Sequence, residues 1–313
     1  MKVGISSCLL GNEVRYDGQH KLDRFLRDEL GKYVEWYPVC PEVECGLSIP
    51  REAMRLVGDD PERPRLLTVN TKVDLTEKME TFVQKRLDQL EKEDLRGFVF
   101  KVKSPTSGMR GVKIYTEQGM PSRRGSGIFA REFMKRFPHI PVEDEGRLHD
   151  AGLRENFIER LFVYDRWRNF LNGEKNVKGL VKFHTEQKYQ LMAHAPDMLR
   201  QMGKLVATVK KETLDDDLQR YQELLLTAMK RKATVKKNVN VLHHIMGYFK
   251  QRLTPDEKQE LLEVIGKYAE EYVPLIVPVI LLQHYVRKYD EPYLKRQYYL
   301  QPHPDELRLR NHA

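Results

Sequence analysis

The hydrophobic pattern changes character about halfway along the chain, and that switch is what most limits the fold. Up to about residue 150, short apolar runs alternate with segments of helical period. Residues 3–7, 34–39, 66–69, 97–102 and 112–115 read as strands, and 23–30, 75–95 and 128–137 as helices. Residues 140–142 close this part, and 119–127, rich in Gly, Pro, Ser and Arg, read as a loop. From residue 153 onward the period is helical nearly throughout, over 153–171, 180–193, 199–207, 216–230, 235–251, 255–272 and 275–289. The expected fold class is therefore an open, Rossmann-like α/β domain followed by an all-α domain. The expected domains are residues 1–170, with a linking helix at their end, and residues 171–313.

Composition narrows the function classes. The chain is 40% hydrophobic and 32% charged, as expected of a globular protein rather than a disordered one. Its most apolar run, residues 273–282, is too short for a membrane span and contains two prolines. No signal-peptide pattern opens the chain, so the expected location is cytoplasmic and the expected state of its cysteines reduced. The net charge of +8 is uneven: residues 1–165 hold 28 basic and 28 acidic residues, whereas 166–313 hold 26 and 18. A basic second half points to a polyanionic partner, although a mildly basic surface is also common without one.

All three cysteines, Cys8, Cys40 and Cys45, fall within the first 45 residues. Their spacing has no C-x2-C pair, which argues against ordinary structural zinc, and a zinc reading needs a distant histidine such as His20. Buried unliganded thiols and a nucleophilic cysteine stay open as alternatives. A three-thiolate metal centre with one open position is the reading that best explains their collection in one segment. Glu42, in Cys40-Pro41-Glu42, lies close enough to such a site to act as general acid or base. Pro41 removes a backbone donor and holds Cys40 extended.

Several ordered motifs carry a family resemblance. Ser6-Ser7-Cys8-Leu9-Leu10-Gly11, Arg15-Tyr16-Asp17-Gly18, Cys40-Pro41-Glu42-Val43 with Gly46-Leu47 and Pro50-Arg51, and Lys103-Ser104-Pro105-Thr106-Ser107-Gly108 resemble the DUF523 family. Characterised members of that family are thiouracil desulfurases. The resemblance covers about residues 1–150. It implies a [4Fe-4S] cluster on three cysteines, whose open iron takes the sulfur of a thiocarbonyl base while water supplies the replacing oxygen. Where the family commonly places its third cysteine, this chain has Ser107, and an extra cysteine, Cys45, stands in the Cys-Pro-Glu loop. The expectation is that Cys8, Cys40 and Cys45 hold the cluster, with Glu42 and Ser104 catalytic. Weaker substrate contacts are expected from Asp17, Ser107, Arg123 and Arg124, although Asp17 also suits an Asx turn before Gly18.

The second half resembles the YbgA-like, or DUF1722, family. The resemblance rests on 183–189, on Leu191-Met192-Ala193-His194, on 240–248, and on Leu275-Ile276-Val277-Pro278 with His284-Tyr285-Val286. Lys188, Lys232 and Lys236 are candidate phosphate contacts, and tyrosine and histidine can stack on bases. Together the halves resemble two-domain desulfidases that act on 4-thiouridine in tRNA. Free 2-thiouracil is the alternative substrate, and a redox-sensing RNA-binding module is the non-enzymatic alternative.

Overall fold

The computed structural model describes residues 1–173 and 175–312, with the side chains of Ser122 and Arg123 outside the described set. The chain divides into two compact units, Met1–Asp150 and Ala151–Ala313. Helix 151–172, joined to the first domain in the sequence reading, counts with the second unit.

The first unit is built on two four-stranded sheets. One holds β1 (Lys2–Ser6), β2 (Glu35–Val39), β5 (Phe98–Phe100) and β8 (Val142–Asp144) in the order β2-β1-β5-β8. All its pairings are parallel. Such strands are covered on both faces, and β5 accordingly reads Phe-Val-Phe with every residue buried. Phe98 and Phe100 stack at 4.3 Å between ring centres and meet Phe129 and Phe133 of α3 (Ile128–Arg136). Phe98 lies so close over β1 that a Cβ on Gly4 would meet its ring at 2.2 Å. Glycine is the residue that fits there.

The other sheet, in the order β4-β3-β6-β7, holds β3 (Met54–Val57), β4 (Arg65–Thr68), β6 (Val112–Tyr115) and β7 (Pro121–Gly125). Two of its strands depart from the sequence reading. Strand β3 was hidden in a short polar-apolar stretch, Met-Arg-Leu-Val, without a long apolar run. Strand β7 lies inside the expected glycine-rich loop, drawn into an antiparallel pair with β6. Pairing with a neighbour has overridden local turn chemistry in both. Helix α2 (Thr76–Glu91) packs Met79, Val83, Leu87 and Leu90 into the same core as β4, β5, β6 and α3.

The second unit is helical among its described residues: α4 (Ala151–Asn172), α5 (Val177–His194), α6 (Pro196–Thr208), α7 (Leu214–Lys230), α8 (Val235–Met246), α9 (Pro255–Ala269) and α10 (Ile276–Lys288). Helix α9 starts where the sequence places it. Thr254 accepts from the Glu257 amide, the Glu257 side chain accepts from the Thr254 amide, and Pro255 takes the first position. Val241, Leu242, Ile245, Leu261, Ile265, Val279 and Leu282 form the main core of this unit. No helix among the described residues is long and apolar enough to cross a membrane.

Candidate functional site

In the parallel sheet, β1 sends the chain to β2 on one side and is flanked by β5 on the other. Ligands of open α/β sheets sit beyond the carboxyl ends of strands at such a reversal. The segments leaving β1, β2 and β5 are Ser7–Leu10, α1 (Pro41–Glu44) and the 101–108 loop. A cavity of about 520 Å³ opens there, lined by Ser6, Ser7, Cys8, Cys40, Glu42, Lys101, Lys103, Ser104 and Ser107 among others. Three segments widely separated in sequence thus converge on one edge of the sheet.

Glu42 is held in that cavity by two side chains. Thr106 Oγ1 donates to Glu42 Oε1 at 2.6 Å, and the Cys40 thiol donates to Oε2 at 3.5 Å. Pro41 at the first helical position starts α1 directly after Cys40 and so places Glu42 in the first turn. Glu44 Oε1 accepts from the Cys40 amide at 2.7 Å and its other oxygen pairs with Arg86 at 2.9 Å, which fixes the entry to this turn.

Ser104 shapes its loop from within. Its hydroxyl oxygen accepts from the Ser107 amide at 3.0 Å and the Thr106 amide at 3.3 Å. Backbone amides at the start of α3 tie this loop down. Ile128 donates to Pro105 O at 3.2 Å, and Ala130 to Thr106 O at 3.1 Å. A Cβ on Gly127 would lie 2.5 Å from the Thr106 carbonyl group, so the close approach of α3 depends on that glycine.

Cations gather on the cavity wall: Arg15, Lys21, Arg51, Lys101 and Lys103. Arg15 pairs with Asp17 at 3.3 Å, and Lys101 is bound to Glu145. Asp17 also accepts from the Gln19 amide at 3.2 Å. It builds the Asx turn at Gly18 and does not line the cavity.

The expected cluster on Cys8, Cys40 and Cys45 is corrected by this geometry. Among the described residues, the cysteines do not form a grouped set of metal-ligating atoms. Cys8 and Cys40 line the cavity, but Cys45 does not. Its thiol, at the end of α1, turns back to Glu42 O at 3.1 Å, and the residue packs against the hydrophobic core. Burial pushes the Cys8 thiol up to about 11. Burial, with the Glu42 charge adding to it, pushes Cys40 up to about 12. Burial raises Cys45 too. The three are free of disulfides, and it is their placement, with Cys45 off the cavity lining, that does not fit a three-cysteine ligand set. Among the described residues no third cysteine joins Cys8 and Cys40 on the cavity lining, where Ser107 is buried.

The grouped candidate ligand atoms lie elsewhere, in Glu155, Glu159 and His303, all within 4.8 Å of one another. Their carboxylates already have partners. Arg310, buried, meets Glu159 at 3.0 Å and Glu155 at 3.4 Å. His194 Nε2 lies 2.7 Å from the other Glu159 oxygen. This is an ion-pair network inside the helical unit, and sequence reading gave no sign of it because Glu159 and Arg310 are 151 residues apart.

The remaining expected contacts are not among the residues that line the cavity. Arg124 is exposed on β7, in register with Lys113, and the side chain of Arg123 lies outside the described residues. Lys188 on α5 sits 5.6 Å from the Tyr189 ring centre. Lys232 and Lys236 are exposed. Their neighbours are partly committed: Arg231 forms a two-pronged ion pair with Asp197 at 2.8 and 2.9 Å, and Lys237 Nζ donates to His194 O at 2.7 Å. Sequence reading missed Thr106 as a contact of Glu42, although it stands inside the Lys-Ser-Pro-Thr-Ser-Gly motif. It gave no site role to Lys101, or to Arg51 of the Pro50-Arg51 pair that belongs to the same family resemblance, although both line the cavity.

The chain is an α/β unit with a cavity at its strand ends, followed by a helical unit. Residues 3–145 match the family model described as 2-thiouracil desulfurase, and residues 188–304 match DUF1722, a protein family of unknown function. The chain is a fusion of a 2-thiouracil-desulfurase-like unit with a DUF1722, YbgA-like unit. One relative is the uncharacterized protein YbgA of Escherichia coli (strain K12), 29% identical over 133 residues, 42% of this chain and 79% of that protein. A solved structure, a [4Fe-4S]-dependent thiouracil desulfidase TudS, is 28% identical and covers 48% of this chain and 93% of its own. Its TM-score is 0.39. The desulfurase family match supports a desulfuration-type activity in the first unit.

Proposed function

We propose that the cavity at the strand ends exchanges sulfur for oxygen on a thiolated pyrimidine, and that the substrate is 4-thiouridine within tRNA. The observation that carries this reading is Glu42, a carboxylate on the cavity wall gripped at both oxygens. The exchange needs no electrons. Water adds to the thiocarbonyl carbon as Glu42 takes one of its protons; the C–S bond then breaks as the adduct's hydroxyl gives up the second and becomes the carbonyl, and the sulfur leaves with both protons as hydrogen sulfide, which returns Glu42 to its carboxylate. A positioned carboxylate base contributes about 10²- to 10⁴-fold to such a step. Lys101 and Arg51, with Arg15, supply positive charge on the same wall for the sulfur as it turns anionic.

The polynucleotide part of the reading rests on charge. Lys21 and Lys103 are exposed on the cavity lining, and the basic excess of the chain lies entirely in residues 166–313. Cations at the mouth would neutralise phosphates flanking a thiolated base. Free 2-thiouracil is the second reading, favoured by the description of the matching family. Sulfide release from thiolated tRNA and from free 2-thiouracil separates the two. Faster turnover of the tRNA, weakened by added salt, is the expected result. Turnover of the free base alone would refute the RNA substrate.

A further inference from the structure

We propose that Thr106 is a positioning residue that sets the working orientation of Glu42. The proposal rests on the reading of Glu42 as the base of the desulfuration. Thr106 is fully buried and is absent from the cavity lining, so its hydroxyl can reach the substrate only through another group. That group is Glu42 Oε1, 2.6 Å away. An ionised carboxylate only accepts hydrogen bonds, so Thr106 must be the donor. Its remaining contact, 3.0 Å to Ser104 Oγ, then runs the other way, with Ser104 donating to Thr106. Ser104 in turn accepts two backbone amides of its own loop. The result is a directed chain from loop backbone to Ser104, Thr106 and Glu42.

Every member of that chain is braced. The Thr106 carbonyl is held by the Ala130 amide, and Gly127 presses against it with no room for a Cβ. Threonine, branched at Cβ, has few rotamers, which suits a fixed donor better than a flexible side chain would. The second Glu42 oxygen has only the longer thiol contact from Cys40 at 3.5 Å. The strong, short bond therefore immobilises Oε1 and leaves Oε2 as the oxygen available to a water in the cavity. In this account Ser104, which the sequence suggests as a catalytic residue, acts two bonds away from the reacting atoms.

The test compares Thr106→Val, of similar shape without the hydroxyl, with Thr106→Ser, which keeps it, in the full chain. Thr106→Val is expected to lower kcat about 10- to 100-fold with KM changed less than about twofold, as loss of orientation alone would do. Thr106→Ser should restore kcat to within about threefold of wild type. In a Glu42→Gln background, Thr106→Val should have no further effect, because its action passes through that carboxylate. An equal kcat loss in both backgrounds would overturn the proposal, since Thr106 would then act through loop structure. Wild-type kcat in Thr106→Val, with Glu42→Gln inactive, would overturn it too while sparing the base. Full activity of Glu42→Gln would instead overturn the underlying reading of the base. Should Thr106→Val fail to fold, Thr106→Ala is read against the same outcomes.

Discussion

The two units treat their clustered charged groups in opposite ways. In the α/β unit, Glu42, Arg15, Arg51 and Lys101 line an open cavity, each held by one or two partners that leave part of it unspent. In the helical unit, Glu155, Glu159, His194 and Arg310 face each other. The first arrangement leaves chemical capacity at the surface of the cavity, and the second consumes it in cohesion. The lesson is that grouped acidic and imidazole side chains indicate a site only when their partners are counted.

The largest effect that separates the units follows from the buried arginine. Arg310→Met strands two carboxylates and should cost about 3–5 kcal/mol. Chemical denaturation followed by the fluorescence of Trp167, buried beside α7, reads this in a Trp36→Phe background. A loss below about 1 kcal/mol, the size of an exposed pair, would break the comparison.

The pH dependence of the same network is the next largest effect. Burial, and then the Glu159 charge, push Glu155 up from 4.5 to about 7. Its contribution to stability is present below pH 4.5 and is lost as the pH rises through about 7. Burial opposes ionisation of Glu159 as well, but the His194 hydrogen bond and the His194 and Arg310 charges hold it at about 2. Its contribution is present above pH 4.5 and is lost as the pH falls toward 2. Glu155→Gln should therefore flatten the decline between pH 4.5 and 7 while leaving the acid limb in place. An unchanged profile in denaturant titrations across this range would show that Glu155 is not the titrating group.

The smallest effect concerns Cys45. It packs against the core and does not line the cavity, so Cys45→Ala should cost about 1 kcal/mol and leave turnover within about twofold of wild type. Loss of turnover in a folded Cys45→Ala protein would return that thiol to the site.

The sequence made the architecture legible wherever burial imposes a period. The strand Phe-Val-Phe and the helix bearing Met79, Val83, Leu87 and Leu90 declare themselves because one face of each must be apolar. Strand β7 does not, because its polar residues form a strand only by pairing with β6. The site was legible in its loops, since Cys8, Cys40, Glu42 and Ser104 all follow strands of one parallel sheet. What a linear reading could not supply was direction. Cys45 is five residues from Cys40, yet the turn of α1 carries its thiol to a backbone carbonyl and the core. Thr106 is one residue from the cavity-lining Pro105 and Ser107 but faces Glu42 from behind.

The central claim is that Glu42 is the base of a desulfuration carried out in the α/β unit. Its most direct test is sulfide release from thiolated tRNA and from 2-thiouracil by wild-type and Glu42→Gln protein, with thiols kept reduced and substrate binding measured alongside. The account predicts that the Gln variant binds substrate as the wild type does, unfolds at the same denaturant concentration, and turns over about 10²- to 10⁴-fold more slowly. Sulfide release at the wild-type rate from the Gln variant would contradict it.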